Sequence, residues 1–230
     1  MTPDPTAMTA ITAEPTMLVH ARARLALHEL RDGPGRPLLL LHGLGECTPS
    51  EPPSYLEHWP GRVLGLDFTG HGRSTRPVGG GYTAEVLLGD VDTALRHIGE
   101  ATLFGRGLGA YLALLAAGAR PDVVRGSILA DGPGLVGGGT RPGSPWVVTI
   151  PGDMTADEPD PFALAELSRD VRPPDYATTW VRHAIEYGPL DTPIAVTTVV
   201  RPEWIEGVVA KPGVVDCTIA EALALYSQSR

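Results

Sequence analysis

Ala101-Thr-Leu-Phe-Gly105-Arg106-Gly107-Leu108-Gly109-Ala110-Tyr-Leu-Ala-Leu-Leu115 decides how this chain is read. A short apolar run ends at Phe104, glycines follow at 105, 107 and 109, and a longer apolar run opens at Ala110. A strand-length run, glycine punctuation and a helix-length run predict a strand, a sharp turn and a helix. The glycine spacing is that of G-x-S-x-G, a turn that holds its middle residue up at the end of a sheet, where a serine hydroxyl attacks. Here the middle residue is Gly107. The turn is expected and the attacking side chain is missing. The same glycines do not have the G-x-G-x-x-G spacing of a dinucleotide fingerprint.

On the C-terminal side, Val124–Ala130 reads as a buried strand ending in Asp131-Gly-Pro-Gly. On the N-terminal side, Leu38–Leu41 is a continuously apolar strand leading into His42-Gly-Leu-Gly. Arg62 to Leu66 is a second such strand, running into Asp67-Phe-Thr-Gly70-His71-Gly72-Arg-Ser74. Runs apolar on both faces belong to a parallel sheet. Ala84–Ile98 has helical periodicity, with Leu87, Val91, Ala94 and Leu95 on one side, Thr83 as N-cap and Gly99 as stop. Tyr55–Trp59 reads as a short helix, Met17–Leu30 alternates as one bent strand or two, and Asp32-Gly-Pro-Gly is a turn.

Alternating strands and helices predict a mostly parallel, doubly wound α/β sheet. The loops after His42, Asp67, Phe104 and Asp131 then gather at the carboxyl ends of the strands, where ligands bind in such sheets. Residues 1–16, rich in Pro, Thr and Ala, read as a disordered tail, and 17–230 as one domain. Prolines, glycines and acidic residues break the pattern between about 136 and 191, which reads as a small cap with helices at Phe162–Ser168 and Tyr176–Tyr187. Ile194–Val200, Glu203–Ala210, Val214–Ile219 and Ala220–Tyr226 follow as strand, helix, strand and helix.

The chain has 230 residues, 43% of them hydrophobic, and a net charge of −9. That composition supports a folded core and argues against a nucleic-acid partner, which needs a basic stripe. Two distant cysteines do not make a disulfide scaffold, and His, Cys, Asp and Glu have no metal-ligand spacing. No apolar run reaches the length of a membrane span and no signal peptide is evident. A cytoplasmic protein without metal or cofactor is expected.

His42-Gly43-Leu44-Gly45, the Asp67–Ser74 motif and the Gly105–Gly109 turn, in this order, resemble the α/β-hydrolase superfamily. The resemblance implies that fold, and a serine, an acid and a histidine acting together. In this chain Gly107 stands in the serine's place, and the last histidine is His183, inside the expected cap. Asp216 and Cys217 stand where the histidine is implied. The strand for the acid ends in Arg201-Pro-Glu203, which leaves Asp131, after the preceding strand, as a variant position. The resemblance also implies an oxyanion hole made by the backbone amides of Leu44 and Leu108, which a glycine at 107 leaves in place. The G-x-G-x-G-A wording is similar to that of N-myc downstream-regulated proteins, non-enzymatic members of the superfamily.

Several side chains have a chemical and a structural reading. Asp131 is a candidate base, or a turn-forming Asp before Gly. Cys47 is a candidate displaced nucleophile, or an idle thiol. Arg106 could grip a ligand carboxylate, or form a surface ion pair. His42, His71 and Asp67 read as elements that pack and tie their loops. The leading expectation is a non-hydrolytic protein, a small-molecule binder or a pseudoenzyme acting through partners, with a pocket under the cap against Leu44, Gly107 and Leu108. The alternative is a hydrolase or lyase using the amide pair with Asp131 or Cys47. A third reading is an oligomerising structural protein.

Overall fold

One sheet of seven strands sets the rim on which the glycine-rich loops stand. The computed structural model describes residues 14–137, 139 and 158–228. The strands are β1 (Thr16–His20), β2 (Ala23–Leu41), β3 (Gly61–Leu66), β4 (Ala101–Arg106), β5 (Val124–Ala130), β6 (Ile194–Val196) and β7 (Val214–Asp216). β2 bends at the expected Asp32–Gly35 turn and has two arms. Leu27 pairs with Leu66 and Arg31 with Val63, while Leu38 pairs with Val63 and Leu41 with Leu66. β3 therefore lies between the two arms, with the register running in opposite senses on its two edges. Beyond the second arm, β4, β5, β6 and β7 follow in order, all parallel.

The helices are α1 (Ala84–Ile98), α2 (Leu108–Ala119), α3 (Pro161–Leu167), α4 (Tyr176–Tyr187), α5 (Glu203–Val209) and α6 (Ile219–Gln228). α1 spans the residues its periodicity predicts, with Thr83 Oγ1 accepting from Val86 N and Gly99 ending it. Alternation along the strands divides the core in two. Leu39, Leu41, Leu103, Leu129 and Val196 face a large cluster with α1, α2, α4 and α5. Leu38, Leu40, Phe104, Ile128 and Ala195 face a smaller one with α6 and a 3-10 turn at Ser54–Leu56, where a short helix was expected.

Two expectations change. Thr16 already pairs with Leu27, so the strand starts inside the span read as a tail, whose residues 1–13 lie outside the described residues. α4 is not part of a cap. Val181 and Ala184 are buried in the same cluster as α2, and Trp180 lies where a Cβ on Gly118 would sit. Its apolar stripe covers α2, so it belongs to the flanking layer. α3 does stand at the rim. Asp160 caps it through Phe162 N (3.0 Å) and accepts from the Tyr82 hydroxyl (2.6 Å), and Glu166 accepts from Gly81 N and Tyr82 N. Residues 140–157 of the expected cap lie outside the described residues. Among the described residues no helix is long and apolar enough to cross a membrane.

Candidate functional site

β4 ends at Arg106 and α2 begins at Leu108, so Gly107 makes the whole turn, with φ 56° and ψ −117°. A side chain is strained in that conformation. The flanking glycines allow close approach: a Cβ on Gly109 would overlap the Leu41 carbonyl. The expected turn is thus formed.

Leu44 N and Leu108 N converge on one point, as the resemblance implies. Both donate, at 2.9 Å each, to the carbonyl oxygen of Pro133. The Asp131-Gly-Pro-Gly loop after β5 folds back over the turn, and Gly107 N donates to Ala130 O at 3.0 Å. A Cβ on Gly107 would overlap the Pro133 carbonyl oxygen. One backbone carbonyl therefore occupies the amide pair and also excludes a side chain at 107. Its partial negative charge sits at the N-terminus of α2, where the unpaired amides and the helix dipole favour it. The sequence reading puts an open pocket against Leu44, Gly107 and Leu108; the point where the Leu44 and Leu108 amides meet, beside Gly107, is instead filled by the Pro133 carbonyl. The sequence marked 131–134 as a turn, and no spacing told where that turn would land.

Buried groups hold the Leu44 loop. Gly43 N donates to Glu46 Oε2 (2.9 Å) and Gly45 N to His71 Nε2 (3.2 Å). His42 Nε2 accepts from Phe68 N (3.1 Å), so its proton is on Nδ1, which donates to Gly43 O (2.8 Å). Burial lowers the His42 pKa to about 4 against the opposing pull of that carbonyl and Asp67. Burial, and then the neighbouring His42, lower His71 to about 3. Both rings are neutral and engaged, in line with their packing roles. Asp67 accepts from His28 Nε2 (2.9 Å), Arg73 N (2.9 Å) and Thr48 N (2.8 Å). Burial would raise its pKa, but these bonds outweigh it and bring it to about 2.

Asp131 accepts from Val199 N (2.7 Å) and Val200 N (3.0 Å), so both carboxylate oxygens tie the loop after β6. The carboxylate thus holds a loop 68 residues away, a tertiary partner that local sequence could not give. Asp216 pairs with Arg201 (2.8 Å). His183 lies on α4 between the rings of Trp180 and Tyr187. Cys47 is exposed and lines a cavity of about 260 Å³ on the smaller-cluster face of β4. Tyr55, Phe104 and Arg106 line the same cavity, and Arg106 donates from Nη1 to both Glu46 oxygens at 3.2 Å. Leu44, Gly107 and Leu108 are not among its lining. Among the described residues no three His, Cys, Asp or Glu side chains are grouped to hold a metal ion.

The order of the strands, the glycine turn and the loops at its rim define an α/β-hydrolase architecture. The alpha/beta hydrolase family profile matches residues 38–223, and the chain belongs to that family. It is 30% identical over 114 residues to an (E)-2-((N-methylformamido)methylene)succinate hydrolase of Acinetobacter baylyi, covering 46% of this chain and 41% of the relative. It is 32% identical over 125 residues to a 2-hydroxymuconate semialdehyde hydrolase of Pseudomonas putida, covering 51% and 43%. The chain thus spans about two fifths of the length of these curated relatives. A hypothetical protein from Pseudomonas aeruginosa shares the fold with a TM-score of 0.62 at 18% identity, covering 93% of this chain and 98% of that one.

Proposed function

We propose that this chain is a non-hydrolytic member of the family that binds a small molecule at the rim. The observation that carries the reading is the Pro133 carbonyl on the Leu44 and Leu108 amides, above a turn with no side chain. Acyl transfer needs a nucleophile with a base to take its proton, and donors free to receive the developing oxyanion. Gly107 supplies no nucleophile, and the two amides already hold a carbonyl. Asp131, the candidate base, has both oxygens committed to backbone amides.

The reading predicts no covalent adduct with a fluorophosphonate probe and no p-nitrophenyl ester hydrolysis above background. Labelling of a serine with turnover that tracks it would sink it. The hydrolase alternative draws support from the two curated relatives, both named as hydrolases. Thiol alkylation separates that case further: turnover abolished by blocking Cys47 would assign the nucleophile there.

A further inference from the structure

We propose that the cavity between the Glu46–Tyr55 loop and the smaller-cluster face of β4 binds a small planar carboxylate, with its apolar body against Phe104 and Tyr55 and its carboxylate on Arg106. The inference rests on the small-molecule reading above and gives that reading a place and a ligand class.

The cavity is two-ended. Leu40, Leu41, Phe104 and two prolines make an apolar floor and wall, with the Tyr55 ring stacked on Phe104 at 5.1 Å. Arg106, Glu46 and Cys47 are the charged and thiol side chains of the lining. An apolar enclosure with a few convergent polar groups is the usual form of a small-molecule site. Its 260 Å³ lies just below the roughly 300–1,000 Å³ of sites for drug-sized ligands, so a single ring or short branched chain is the right scale.

The polar groups choose the charge. The Glu46 carboxylate already accepts from Gly43 N and from Arg106 Nη1. Its charge is thereby compensated by a backbone donor and one guanidinium nitrogen. Among the described residues the hydrogen bonds of Arg106 run from Nη1, which leaves the Nε and Nη2 edge to a planar acceptor. A guanidinium edge matches a carboxylate bidentately. This side of β4 is open, whereas the Gly107 side is filled by Pro133.

The test is an amide chemical-shift titration of the whole chain with benzoate, benzyl alcohol and benzylamine, repeated on Arg106→Gln and Arg106→Lys. The expected result is saturable shifts at Glu46–Thr48, Tyr55 and Arg106 with benzoate. Binding should weaken at least tenfold for benzyl alcohol and for Arg106→Gln, and less for Arg106→Lys. Absence of saturable shifts overturns the proposal, as does tighter binding of benzylamine, which would make Glu46 the recognition group. If Arg106→Gln does not fold, the three ligands on the native chain still decide. Benzoate shifts centred on Leu44, Gly107 and Leu108 overturn this site while leaving small-molecule binding intact. Ester turnover, measured separately, sinks the non-hydrolytic reading whatever benzoate does.

Discussion

Two sides of one strand end behave in opposite ways. At Gly107 the rim is closed, because the Gly132–Pro133 backbone fills the position a side chain would take and satisfies both amides. At Arg106, one residue earlier, the rim is open onto a cavity lined by side chains. Arg106 is the last residue of β4 and Gly107 the turn after it, and the contrast follows from the loop after β5 folding back over the turn. A glycine at 107 is what lets that loop come down. A side chain there would hold the loop off, and the amides would then be free for a ligand.

The closed side stands on buried neutral histidines, and acid should break it first. His42 and His71 have folded pKa values of about 4 and about 3, below the usual 6.5. The unfolded chain then binds more protons below pH 6.5, so stability is full above that value and falls as pH drops toward the folded values. Two such groups give a slope of roughly 2 kcal/mol per pH unit between about pH 6 and 4. Denaturant midpoints measured across that range check it, and a flat profile would mean that the rings are solvated.

A smaller and more local effect is expected at the turn itself. Gly107→Ala adds strain at φ 56° and an overlap with the Pro133 carbonyl. Together these should cost about 3 kcal/mol, or roughly 6–12 °C in Tm for a chain of this size. On the open side, Cys47→Ser should stay within about 0.5 kcal/mol, because Cys47 is exposed. Equal effects at the two positions would erase the contrast. Gly107→Ser should lose stability like Gly107→Ala and gain no ester turnover beyond about tenfold, since one triad member without the others restores little.

An effect smaller than that at Gly107 is expected at the base of the folded-back loop. Asp131→Ala removes the acceptor for Val199 N and Val200 N, which lie in an exposed stretch that water can reach. The expected cost is about 1 kcal/mol, read from thermal melts. A much larger loss would show that Asp131 also holds Pro133 in place.

The glycine spacing made the turn legible, and the resemblance to the α/β-hydrolases pointed to the amides of Leu44 and Leu108. α1 was legible to its ends because its cap and stop are local. What escaped was tertiary. Asp131-Gly-Pro-Gly announces a turn, but only the packing of β5 beside β4 brings the Pro133 oxygen onto Leu44 and Leu108. α4 has the amphipathic pattern of any surface helix, and the sequence did not say that its stripe faces α2. The cavity was hidden for the same reason. Cys47 and Arg106 stand out in the sequence, yet only the pairing of β2 with β4 puts Leu41 beside Gly105 and brings the loop after β2 to Phe104 and Arg106.

The closed turn depends on one carbonyl and two amides, and scalar couplings across hydrogen bonds read that contact directly. In a chain labelled with nitrogen-15 and carbon-13, the amide nitrogens of Leu44 and Leu108 should both couple to the carbonyl carbon of Pro133. Those two amides should also exchange slowly with solvent. Absence of both couplings, with fast exchange at Leu44 and Leu108, would place the Pro133 carbonyl elsewhere in solution and leave the amide pair open, contradicting the closed turn.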